Sequence, residues 1–186
     1  GQTGYGGSFV LRSGEKYAII DKCSVTGEIE ASDSGGLTGR LAGQDGQITI
    51  TNCFSTGDIS GSYSGGITGA RTCTNGELLV YNCYSAGDMT GLGAGGILGS
   101  LSGNDGGKAN VYNCYSTGSI TKEQSGGIGG KAIGQDSHAL ISYCYSLGDI
   151  AEFCGGIIGS SGAHDALPGP SDLCVIQNCY ALGTTS

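Results

Sequence analysis

Nine cysteines carry most of the chemical promise of this 186-residue chain, and six of them occupy one recurring position. Cys23, Cys53, Cys83, Cys114, Cys144 and Cys179 follow one another at intervals of 30, 30, 31, 30 and 35 residues. Cysteines at such spacing suggest three chemistries: disulfide exchange, metal ligation and packing as small apolar groups. Metal ligation is disfavoured, because no CxxC or Cys/His spacing occurs and both histidines, His138 and His164, stand in variable segments. If the repeats stack, equivalent Cα atoms lie about 4.8 Å apart, inside the disulfide range. In-register parallel strands, however, point their Cβ atoms the same way, which suits a bridge poorly. A buried ladder of free thiols is the expectation.

Cys73, Cys154 and Cys174 fall outside that series. Cys154 and Cys174 bracket a segment holding Pro168 and Pro170 and lie 20 residues apart. A disulfide between them would fasten this segment and stabilise the last coil by roughly 3 kcal/mol on chain-entropy grounds. Cys73 would then be left unpaired.

Three further columns accompany the cysteines. An aromatic follows each of the last five, at Phe54, Tyr84, Tyr115, Tyr145 and Tyr180. Alternation counted from the aliphatic three residues before the cysteine turns these rings inward; counted from the aliphatic six residues after, it turns them outward. A bend must fall near the cysteine, and the face stays open. Outward rings would suit sugars or a neighbouring surface, although rings packed on rings to stabilise the sheet is the simpler reading. An acidic column runs through Glu28, Asp58, Asp88 and Asp149. Ca²⁺ between its members is the one cofactor to weigh, against plain solvated carboxylates. Thr26, Thr56 and Thr117 form a threonine row too interrupted, by Ala86 and Leu147, to suggest ice binding.

The elements that position these columns follow from the repeat itself. Its phrase reads Asn52-Cys53-Phe54-Ser55-Thr56-Gly57-Asp58-Ile59 and returns as Asn82 to Met89, Asn113 to Ile120 and Tyr143 to Ile150. Between the phrases come Gly35-Gly36, Gly65-Gly66, Gly95-Gly96, Gly126-Gly127 and Gly155-Gly156, 11 or 12 residues after each cysteine. Ile20, Ile50, Val80, Val111, Ile141 and Ile176 stand three residues before the cysteines. Apolar runs of this length, rich in β-branched residues and separated by glycine, make strands and turns rather than helices. A fixed period of this size is one supersecondary unit stacked on its copies. The expectation is an all-β fold, a parallel β-solenoid of about six coils with a repeat of about 30 residues, forming one domain over 1–186. A loop insert is expected at 160–173.

The phrase and its Gly-Gly-Ile partner resemble the GLUG repeat of bacterial surface proteins, including repeat regions of adhesins and of exported proteins like the IgA peptidases. The resemblance covers nearly the whole chain, apart from the insert and a last repeat that lacks its Gly-Gly half. It implies an exported, extracellular or cell-surface protein, and it is silent about activity.

A net charge of −8 leaves no basic stripe for nucleic acid. No run approaches the length of a membrane-spanning helix. Enzymatic activity is not expected, because catalysis needs groups in unlike surroundings and nearly every carboxylate here has equivalent copies. His164, Asp165 and Asp172 in the insert are the one asymmetric set. The ends offer more. Tyr5-Gly6-Gly7-Ser8-Phe9-Val10 aligns with the Gly-Gly half of a repeat, and the last repeat supplies the complementary half. Were a second copy to follow, its Gly6 would fall 13 residues after Cys179, close to the internal spacing. The expectation is a non-enzymatic structural subunit whose partners are copies of itself, stacked head to tail. Gly6, Gly7, Phe9 and Val10 would meet Ile176, Cys179, Tyr180 and Leu182. The alternative is a segment of a longer surface adhesin that binds host or matrix glycans or proteins.

Overall fold

The computed structural model of the chain describes residues 16–160 and 173–184, and these contain no helix. Each repeat supplies a five-residue strand and a two-residue strand. They are β1 (Tyr17–Asp21) and β2 (Ser24–Val25), β3 (Gln47–Thr51) and β4 (Phe54–Ser55), then β5 (Glu77–Tyr81) and β6 (Tyr84–Ser85). The series continues with β7 (Lys108–Tyr112) and β8 (Tyr115–Ser116), β9 (His138–Ser142) and β10 (Tyr145–Ser146), then β11 (Leu173–Gln177) and β12 (Tyr180–Ala181).

Every strand pairs in parallel with its copy one repeat away. The long strands make one six-stranded sheet and the short strands another, both in repeat order. Register is exact along the columns: Ile20 faces Ile50, then Val80, Val111, Ile141 and Ile176. Further parallel bridges join Ile29, Ile59, Met89, Ile120 and Ile150, and the glycines Gly35, Gly65, Gly95, Gly126 and Gly155. The fold is a β-solenoid. It has about four complete turns, slightly fewer than the repeats suggest, because the outermost strands bound coils that are not closed within the described residues.

One residue per coil turns the first sheet into the second. Asn52, Asn82 and Asn113 hold left-handed backbone with φ of 54°, 54° and 50°. Asparagine tolerates this conformation better than most side chains, which accounts for its place before the cysteine. The turn also shifts the phase of alternation. Ile48 and Ile50 point inward before Asn52, and Cys53, Ser55, Gly57 and Ile59 point inward after it. The aromatic ring therefore faces outward, half-buried, and the two conflicting parities of the sequence are each correct on their own side of the bend.

The interior is a set of continuous columns. Ile48 and Leu78, Ile50 and Val80, and Ile67, Ile97 and Ile128 are wholly buried. Each such side chain contributes about 1.5–3 kcal/mol of hydrophobic stabilisation. Close stacking sets a strict limit on size at Gly87, where a methyl group would run into the carbonyl of Gly57 in the preceding coil.

Candidate functional site

The six repeat cysteines form a column at the corner between the sheets, and all nine cysteines of the chain are free thiols. Within the column each sulfur from Cys53 onward serves at least two partners. The backbone N–H of Cys53 points at Sγ of Cys83 at 3.4 Å, and that of Cys83 at Sγ of Cys114 at 3.4 Å. The thiol in turn donates to the carbonyl two residues before it: Cys53 to Thr51 at 3.0 Å, Cys114 to Tyr112 at 3.2 Å. Cysteine thus supplies an acceptor for the N–H that the left-handed turn removes from the sheet ladder, while the carbonyls of Thr51 and Tyr112 also accept a backbone N–H from the neighbouring coil. Burial pushes the Cys53 thiol up to about 11 and the Cys114 thiol well above its ordinary value. A thiol held neutral in this way is a poor nucleophile.

The three irregular cysteines each occupy a repeat position of their own. Cys174 pairs in register with Ala139, in a core column that also holds Ala109. Cys154 replaces the serine of Ser64 and Ser125; its thiol donates to the carbonyl of Lys122 at 3.0 Å, as Ser125 donates to Gly91. Cys73 stands where neighbouring coils have Gly43 and Gly103, in the same left-handed backbone (φ 55°), and its buried thiol is pushed up to about 12. The structure does not bring Cys154 and Cys174 together: Cys154 packs beside Ile150 in a small cluster, and Cys174 against the main core.

Phe54, Tyr84, Tyr115, Tyr145 and Tyr180 form an unbroken outward stack, with ring centroids 5.0–5.2 Å apart and planes within 6° of parallel. Behind each ring, facing inward, is a small residue. Ser55, Ser85, Ser116 and Ser146 are fully buried, and among the described residues their hydroxyls have no hydrogen-bond partner. The space for them is made by the paired glycines: a methyl on Gly96 would lie 2.7 Å from the hydroxyl of Ser116. Sequence reasoning missed this serine column because serine in a glycine-rich phrase reads as a turn residue.

The acidic column is tied into the backbone. Asp58 Oδ1 accepts the N–H of Asp88 at 3.0 Å, and Asp88 Oδ1 accepts that of Ser119 at 2.7 Å. Asp149 accepts both the N–H and the hydroxyl of Thr184. The carboxylates so engaged fasten one coil to the next, which gives them a structural task whether or not Ca²⁺ joins them. Among the described residues no group of three or more His, Cys, Asp or Glu is arranged to hold a metal.

At the end of the solenoid, Ile176, Tyr180 and Leu182 are 48%, 49% and 69% exposed, and Cys179 is partly buried. Gly6, Gly7, Phe9 and Val10 lie outside the described residues, as do His164, Asp165, Asp172 and nearly all of the insert expected at 160–173. No family model, curated protein or solved structure matches the chain.

Proposed function

We propose that the chain is an extracellular, non-enzymatic β-solenoid subunit that stacks head to tail on copies of itself to form a fibre or stalk. One contrast carries the reading. Ile141 and Ile176 are neighbours in one core column, yet Ile141 is wholly buried and Ile176 is 48% exposed. Among the described residues a further coil covers Ile141 and none covers Ile176. Among the described residues β11 and β12 are paired along one edge, and their other edges are free to add strands. Strand addition there would take affinity from main-chain hydrogen bonds and register from the Ile, Cys and Tyr columns. A contact of this type joins unlike surfaces and does not close, so it makes an open polymer.

The extracellular location rests on the resemblance to GLUG repeats. A structural rather than catalytic role is supported by the acidic column, whose carboxylates hold neighbouring coils together in like surroundings. Sedimentation velocity over a range of concentrations tests the proposal. The chain should form long species as concentration rises, and Ile176→Asp and Val10→Asp should each remain monomeric with an unchanged circular dichroism spectrum. A wild-type chain that stays monomeric throughout contradicts it.

A further inference from the structure

The chain is strongly acidic, with 8 Lys and Arg against 16 Asp and Glu. Three of those eight cations nevertheless face one groove of about 450 Å³, formed by Arg40, Arg71 and Lys131 with Asp33, Tyr63 and Gln135. Arg40 belongs to the coil that begins with β1, Arg71 to the coil of β3 and Lys131 to the coil of β7. At about 4.8 Å per coil, their positions span about 14 Å along the axis. Arg40 Nε meets Asp33 at 3.5 Å, and among the described residues neither Arg71 nor Lys131 makes an ion pair.

The groove has a built wall. The hydroxyl of Ser100 donates to the carbonyl of Gly93 at 2.7 Å and accepts the backbone N–H of Lys131 at 2.8 Å, which fixes the lysine's backbone. Tyr63 adopts left-handed backbone (φ 62°) and lays its ring across Gly93 of the next coil. A methyl group on Gly93 would sit 2.9 Å from that ring, so glycine makes the room it occupies. The column of Tyr63 holds Asp33, Gly93, Gln124 and Phe153 in the other coils, so the repeat does not fix an aromatic there, and among the groove's lining residues Tyr63 is the one ring.

We infer that this groove binds a short stretch of acidic saccharide, with carboxylate or sulfate groups on Arg71 and Lys131 and a sugar face on Tyr63. Guanidinium and ammonium groups take anionic oxygens through charge-assisted hydrogen bonds, and the arginine fork does so in two contacts. The volume lies in the range of small-molecule sites, and an aromatic wall with a few convergent polar groups is their usual lining. The acidic remainder of the surface does not prevent this, because charges beyond about 8–10 Å are screened at physiological salt. The groove lies on the side of the solenoid, so the inference does not rest on stacking at the ends.

Titration calorimetry on the full chain tests it, with oligogalacturonate and a sulfated heparin fragment as probes beside a neutral chito-oligosaccharide and inorganic sulfate. One or both acidic saccharides should bind and the neutral one should not, and the preferred probe distinguishes carboxylate from sulfate. Arg71→Glu and Lys131→Glu should each weaken binding about tenfold or more. Tyr63→Gly, which copies Gly93, should weaken saccharide binding several-fold and leave the melting temperature within a few degrees of wild type. The inference is overturned if neither acidic saccharide binds, if the neutral sugar binds equally, or if Tyr63→Gly has no effect and free sulfate binds as well as the saccharide. It is also overturned if the charge reversals change only the sedimentation of the protein, which would make the groove a contact for the acidic surface of a second copy.

Discussion

The backbone N–H of Cys83 points at the sulfur of Cys114 in the next coil, 3.4 Å away, and that sulfur donates its own proton to the carbonyl of Tyr112 at 3.2 Å. The cysteine column is therefore a hydrogen-bonding device at a corner where the chain leaves the sheet ladder. Its free thiols are an architectural feature, and burial keeps those of Cys53, Cys114 and Cys179 protonated.

Removing one sulfur should be felt on both sides. In Cys114→Ala the N–H of Cys83 loses its acceptor, and leaving a buried donor unpaired costs about 1–3 kcal/mol. Cys114→Ser keeps a donor and an acceptor and should recover part of that loss. Urea unfolding of the reduced protein reads the difference; equal stability of the alanine variant and wild type would refute the assigned role.

Alkali should destabilise the protein through those thiols that burial raises, Cys53 and Cys73 among them. The folded-state values are raised, to about 11 for Cys53 and about 12 for Cys73. The unfolded chain therefore releases these protons first, the folded state binds more of them, and stability falls as pH rises. The contribution is fully present below about pH 9 and is lost progressively up to about pH 12, each thiol adding at most about 1.4 kcal/mol per pH unit. Urea midpoints at pH 7.5, 9 and 10.5 check the sign. Cys73→Gly, which restores the residue found at Gly43 and Gly103, should make the decline shallower.

The buried serines should be replaceable. Ser116 has a fully buried hydroxyl without a partner, and Val25 and Ala181 occupy the same column at its two ends. Ser116→Ala is expected to leave stability unchanged or to raise it by about 1 kcal/mol. A loss of more than that in a thermal melt would mean that the hydroxyl has a partner.

The aromatic column should tolerate loss of its hydroxyls better than loss of its rings. Tyr115 stacks on both Tyr84 and Tyr145 at 5.0 Å. Tyr115→Ala breaks two contacts worth about 0.5–1.5 kcal/mol each beyond the buried area, whereas Tyr115→Phe, copying Phe54, keeps both. Thermal melts should separate the two by several degrees; equal melting points would show that the stack does not stabilise the coils.

Much of this architecture was legible in the residues. The spacing of Cys53, Cys83 and Cys114 and the β-branched residues three places before them gave the period, the parallel register and the core column, because stacking makes one repeat's environment the next one's. What was hidden depended on single backbone conformations. The left-handed turn at Asn52 decides which way Phe54 and Ser55 face, and a count of alternation cannot see it. Cys73, Cys154 and Cys174 looked like departures from the repeat because none of their columns holds a second cysteine: Cys73 stands among glycines, Cys154 among Ser64, Ala94 and Ser125, and Cys174 among Ile48, Leu78, Ala109 and Ala139. Arg40, Arg71 and Lys131 meet only because residues on different coils share one side of the solenoid, and they stand at two adjacent repeat positions, which no single column shows.

The stacking of whole subunits is tested most directly by electron microscopy of the purified chain, with the axial rise measured from the images. Six strand positions per subunit in each sheet predict fibres with a subunit rise of about 29 Å, and no fibres from Ile176→Asp. Dispersed particles at high concentration, or fibres that persist unchanged in Ile176→Asp, would contradict the account.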